Sequence, residues 1–113
     1  MPSSRSRSPK PYCLLSTIDS SKTATKIARR LVQKGLAACV NVVPNVNSVF
    51  RWKGALDQAR ELLLIIKTDS RHLKQIEQAL RKHHPYQVPE MIGWPIVWGH
   101  KAYLQWLSDS VSK

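Results

Sequence analysis

Residues 36–68, LAACVNVVPNVNSVFRWKGALDQARELLLIIKT, decide the fold. Leu36 to Val43 is rich in strand formers, Pro44 and Asn45 interrupt it, and Val46 to Lys53 resumes it. The pattern predicts one long strand carrying a bulge. Proline has no N–H for a ladder, so that strand belongs at a sheet edge. Gly54, between Trp52-Lys53 and Ala55-Leu56, marks a hairpin turn. The return strand runs over about Leu56 to Thr68, with Leu62 to Ile66 as its buried centre.

Upstream, Lys10 to Ile18 reads as a first strand, and its near-continuous apolar centre places it inside the sheet. Asp19, Ser20 and Ser21 offer N-caps. Ala24, Ile27, Ala28, Leu31 and Val32 then form one apolar helical stripe, with Lys22, Lys26, Arg29, Arg30 and Gln33 on the other face. Gly35 is placed to stop this helix. Downstream, Asp69 and Ser70 offer a second cap. Leu73, Ile76, Ala79, Leu80 and His83 make a second stripe opposite Arg71, Lys74, Gln75, Gln78, Arg81 and Lys82. Pro85 ends it by denying helical geometry to His84. Pro89 to Val97 reads as a last, edge-like strand, and Tyr103, Trp106 and Leu107 as the apolar face of a C-terminal helix.

The order β-α-β-β-α-β, then α, with right-handed crossovers, predicts an α+β fold of ferredoxin-like type: a four-stranded antiparallel sheet with two helices on one face. One domain over residues 11–113 suffices for a chain of 113 residues. Residues 1–10, rich in Ser, Arg and Pro, read as a disordered basic tail with no export signal, so the cytoplasm is the expected compartment. No apolar run approaches the ~20 residues of a membrane span. The net charge of +11, from 18 Lys and Arg against 7 Asp and Glu, attracts anions, nucleic acid included, without specificity. Cys13 and Cys39 sit in apolar runs, as reduced thiols facing a core or an interface do.

Several segments together resemble one family. Lys34-Gly-Leu-Ala-Ala-Cys-Val-Asn41, Arg51-Trp-Lys-Gly54, Leu64-Ile-Ile-Lys-Thr68, His83-His-Pro-Tyr-Gln-Val-Pro-Glu90 and Ala102-Tyr-Leu-Gln-Trp106 are similar, in order and spacing, to the CutA divalent-cation tolerance family over about residues 11–107. The resemblance implies a tight homotrimer akin to the PII signalling proteins, with a role in tolerance of divalent cations, copper especially, and no catalytic activity. Some members carry cysteine where this chain has Ser16, and others glutamate where it has Gln87. Both departures weaken an inherited soft-metal site.

The candidate metal ligands are His83, His84 and Cys39. Imidazole suits copper, zinc and nickel, and thiolate suits copper. Adjacent histidines of a regular helix point apart, although Pro85 relaxes that restriction. The plain alternatives are a last-turn histidine at a helix C-terminus and a core cysteine. Trp52, Tyr86, Trp94 and Trp98 line a cleft or, more simply, anchor an interface. Glu61, Lys67 and Glu90 are charges beside apolar strands that need partners. They form either an intersubunit pocket with Trp52 and Tyr86 or a set of ion pairs.

The expected partners are a divalent metal ion, copper among them, or a small anionic effector. No cofactor is obligatory, and no membrane or specific nucleic acid is expected. An RNA-recognition module is disfavoured because Arg60-Glu-Leu-Leu-Leu-Ile-Ile-Lys67 carries no aromatic residue on which bases would stack. An acylphosphatase-like enzyme is disfavoured because Ser16 to Ser21 contains no glycine.

Overall fold

Two left-handed residues make the hairpin on which the architecture depends. Trp52 pairs with Ala55, and between them Lys53 (φ 52°) and Gly54 (φ 81°) form a two-residue turn with both residues at positive φ. That geometry matches the right-handed twist of the strands it joins. In the computed structural model, which describes residues 8–112, the hairpin connects β2 (Cys39–Trp52) to β3 (Ala55–Asp69). The register slips between Val43 and Val46, where Asn45 takes a φ of 62° after Pro44. The bulge falls where the sequence breaks.

β1 (Pro11–Ile18) pairs antiparallel with β3 on one side and with β4 (Ile92–Pro95) on the other, giving the sheet order β2-β3-β1-β4. β2, interrupted by Pro44, and β4, which ends at Pro95, occupy the edges, and the apolar β1 and β3 are central, as expected; Pro11 stands at the first position of β1, where a strand tolerates proline. The last strand is shorter than Pro89 to Val97. Pro89 stands before it and Pro95, which has no N–H to donate onward, is its last paired residue.

α1 (Ser21–Gln33) begins at Ser20, whose side chain accepts from the Thr23 N–H at 3.2 Å. A 3₁₀ turn over Ser70–His72, capped by Asp69, leads into α2 (Leu73–His83). Ile27 and Leu31 of α1 and Ile76 and Leu80 of α2 meet Ile18, Leu64 and Ile66 in one buried cluster, so both helices cover the same sheet face. α1 ends at Gly35 (φ 71°), whose carbonyl accepts from the Ser112 N–H at 2.8 Å. A side chain there would be strained and would strike Ser112.

α3 (Lys101–Ser110) packs Leu107 beside Ala38 and Val111 in a second, smaller cluster. Tyr103 and Trp106 stay outside that cluster. They are half-exposed and stack on each other, with ring centres 5.4 Å apart. The proposed tail falls outside the described residues except at its root. There the Lys10 N–H donates to Ser70 Oγ at 3.0 Å and its carbonyl accepts from the Ser70 N–H at 2.8 Å, which ties Lys10 into the fold. No helix among the described residues is long and apolar enough to cross a membrane.

Candidate functional site

β1 ends at Ile18 opposite Leu62, but the β2–β3 hairpin continues to Trp52 and Ala55. The hairpin therefore projects beyond the rest of the sheet, and the long axis of the molecule reaches 51 Å. Beside the projecting half lies the segment that follows α2. Pro85 forces His84 into an extended conformation (φ −78°, ψ 136°), and the chain turns across the end of β1.

Three contacts lock this segment. His84 Nε2 donates to the Thr17 carbonyl at 2.7 Å, and its Nδ1 accepts from the Tyr86 N–H at 3.1 Å. The Tyr86 hydroxyl then donates to Glu61 Oε2 at 2.6 Å. Burial, that hydrogen bond and the nearby charges of Glu61 and Asp19 push the Tyr86 hydroxyl well above its ordinary pKa, so it stays protonated and donating. Glu61 is only 6 % exposed and relies on this donor.

A cleft of about 680 Å³ opens between the hairpin and this segment. Thr17, Asp19, Asp57, Glu61, Tyr86, Gln87 and Glu90 supply its polar lining, and Val49, Phe50, Trp52 and Val88 an apolar wall. Alternation along β3 puts Asp57, Ala59 and Glu61 on the sheet face opposite Leu62, Leu64 and Ile66, away from the helices. Four of the chain's seven carboxylates line this cleft, and no lysine or arginine does.

Four of the five expected cleft residues, Trp52, Glu61, Tyr86 and Glu90, are thus brought together. Lys67 is not among them. It lies about 20 Å along β3 from Glu61 and binds Asn41 Oδ1 at 2.8 Å. Among the described residues Glu61, Lys67 and Glu90 form no ion pair with one another, and no lysine or arginine lines the cleft within this one chain. Trp94 and Trp98 also lie outside it. Asp19 and Asp57 were not anticipated, although Asp57 lies four residues before Glu61 on the same strand face.

The expected metal trio is dispersed. His84 has both ring nitrogens engaged in the protein. His83 lies half-buried at the end of α2, where burial and then the charges of Arg30, Lys82, Lys26 and Lys34 lower its pKa. Cys39 is half-buried rather than a core residue, with its Sγ 3.9 Å from Asn41 Oδ1 and its partner across the ladder being Lys67. Lys67 also faces Cys13, whose thiol is raised by burial and partly pulled back by the lysine charge. Among the described residues, no three His, Cys, Asp or Glu side chains converge closely enough to hold one ion.

Fold and cleft together define an α+β subunit of ferredoxin-like type whose projecting hairpin walls an acidic cavity. Residues 12–110 match the sequence model of the CutA1 divalent ion tolerance protein family. The chain is 40 % identical over 97 residues to the divalent-cation tolerance protein CutA of Thermus thermophilus, covering 86 % of this chain and 94 % of that one. A solved structure of the Thermus thermophilus divalent cation tolerance protein superposes with a TM-score of 0.88 at 38 % identity, over 90 % of this chain and 99 % of that chain. Protein CutA, chloroplastic, of Arabidopsis thaliana is 42 % identical over 94 residues, 83 % of this chain but only 52 % of its own length. The chain belongs to the CutA1 divalent ion tolerance family.

Proposed function

We propose that this protein binds divalent cations, copper among them, at the acidic cleft, as a homotrimer of the PII kind acting in the cytoplasm without catalysis. One observation carries the reading: on a chain of net charge +11, four of seven carboxylates surround one cavity that no lysine or arginine lines. A cavity so charged concentrates cations. Family membership and the cation-tolerance name of its relatives support the same reading.

Because no three donors converge within one chain, the ion keeps water in its shell or takes donors from a second copy. The apolar wall supports the second route. Val49 is 62 % exposed and Leu56 at the hairpin tip 76 %, surface that a neighbouring subunit would cover. The lining is of oxygen donors, which favours harder ions than copper. Copper therefore enters the test beside zinc and manganese.

Calorimetric titration of the three ions into wild-type protein, Glu61→Gln and His83→Ala, with sedimentation of each, tests the proposal. Saturable binding that Glu61→Gln weakens at least tenfold and His83→Ala leaves unchanged is the expected result. Binding lost only in His83→Ala would move the site to the end of α2. No saturable binding of any ion would overturn the cation reading, and a monomer at micromolar concentration the trimer.

A further inference from the structure

We propose that the outward face of the two-helix layer is a docking surface for the phosphate backbone of duplex nucleic acid, bound without regard to base sequence. In α1 and its C-cap, Lys22, Lys26, Arg30 and Lys34 recur every fourth residue, so they form one stripe. At 1.5 Å per residue the stripe is about 18 Å long, which matches roughly five base pairs of duplex. α2 contributes Lys74, Arg81 and Lys82. Both helices bury their apolar stripes in the same core, so their charged sides face outward together.

These cations are unbalanced. The only acidic residue in either helix is Glu77, and none of the seven cations makes an ion pair among the described residues; Arg71, at the start of the layer, is the one that pairs, with Asp69. The field is also shared between the helices. Three members of the α1 stripe, with Lys82 from α2, act together to disfavour a proton on His83.

The chemistry of this face selects its partner. It carries no aromatic side chain on which an unpaired base would stack. Its one exposed large apolar residue is Val32. The other exposed large apolar residues, Val49, Leu56, Trp94 and Trp98 among them, belong to the hairpin and to the region from Val88 through α3. A lipid surface would require apolar side chains between the cations to enter the acyl boundary, and this face offers only one. A regularly charged rod answers a face built of charge alone. The acidic cleft on the opposite sheet face repels the same phosphates and so orients the subunit, helices toward the duplex.

The test is fluorescence anisotropy of a labelled 20-base-pair duplex of arbitrary sequence with the full chain, from about 50 to 200 mM salt. The K22Q/K26Q/R30Q/K34Q variant is compared with K10Q/K53Q/R60Q/K101Q, which removes the same charge from exposed positions off the helix layer. Each phosphate contact contributes about 0.9 to the slope of log K against log salt. The helix variant is expected to lose about 3 in slope and at least tenfold in affinity at 50 mM, and the control variant less than 1 in slope. Equal losses in both would overturn the proposal, because net charge alone would then be the cause. So would absence of duplex binding at 50 mM, and so would capture by phosphatidylserine vesicles without capture by the duplex. Seven of these eight positions are exposed and Arg30 is half-buried, so the melting temperatures of both variants are compared with wild type to establish that they fold.

Discussion

The helix layer and the projecting half of the hairpin are built on opposite terms. Under the helices, Ile18, Leu31, Leu64, Ile66, Ile76 and Leu80 are almost wholly buried, and every apolar stripe has a partner within the chain. Along the hairpin from Val46 to Arg60 no residue is buried, and its first buried neighbour in sequence is Glu61, held by a tyrosine. Charge differs too: the outward helix face carries lysine and arginine with Glu77 as the one acidic residue of either helix, whereas four carboxylates and no lysine or arginine line the cleft beside the hairpin. One part of the molecule is stable on its own contacts. The other is paired backbone whose side chains are exposed or half-exposed in the single chain.

The contrast makes quantitative demands. Leu31→Ala, at the centre of the closed core, is expected to cost about 2–5 kcal/mol in chemical denaturation, since a buried leucine leaves a cavity that packed surroundings fill poorly. If a hairpin substitution such as Val49→Ala cost a protein held as monomer as much, the division would fail.

A smaller effect belongs to the entrance of the helix layer. Asp69, 2 % exposed, accepts from the backbone and side chain of Arg71 and from His72 Nδ1 at 3.1 Å. Burial raises its pKa, but the Arg71 and His72 hydrogen bonds and the Arg71 charge outweigh burial and hold it below the ordinary value. A carboxyl depressed in the folded state stabilises above its unfolded pKa of about 4, and that contribution is lost as pH falls through the folded value. Asp69→Asn should therefore cost about 1.5–3 kcal/mol at pH 7 and progressively less below pH 4, measured as denaturation midpoints against pH. A cost independent of pH would mean that shape rather than charge matters there.

The smallest effect is expected at the cleft. Tyr86→Phe removes the hydroxyl that donates to Glu61, which is nearly buried but lines the cleft, where water can take the hydroxyl's place, and should cost only about 1 kcal/mol. It should nevertheless speed amide exchange along residues 84–90 by local opening. A loss as large as that of Leu31→Ala would show that the cleft is part of the core rather than a neighbour to it.

Most of the fold could be read from periodicity because one residue at a time decides it: a proline inside a strand, as Pro44 is in β2, sends that strand to the edge, alternation assigns a face, and Gly35 ends a helix. The cleft was legible for the same reason in Glu61 and Trp52, which lie on strands of known register, and in Tyr86 and Glu90, which follow the helix-ending Pro85. Periodicity gives a face but not what lies beside it. That is why Lys67, on the same face as Glu61, was assigned to a cavity it does not reach. His84 was misread because its two partners, Thr17 and Tyr86, are joined to it only by the fold; a histidine before proline looks alike whether its nitrogens are engaged or not. The stripe of Tyr103 and Trp106 was correct as a pattern, yet only Leu107 finds a core to enter.

The sheet order has a consequence for how the chain is made. β1 is the first strand to leave the ribosome and lies between β3 and β4, so its main-chain groups wait for roughly fifty more residues before their first partner emerges. At about 5–20 residues per second that interval is some 3–10 s. Through it Tyr12, Cys13, Leu14 and Leu15 form an uncovered sticky segment on the nascent polypeptide. The earliest-made part of this sheet therefore finds its first partner no sooner than β2 does, when β3 emerges.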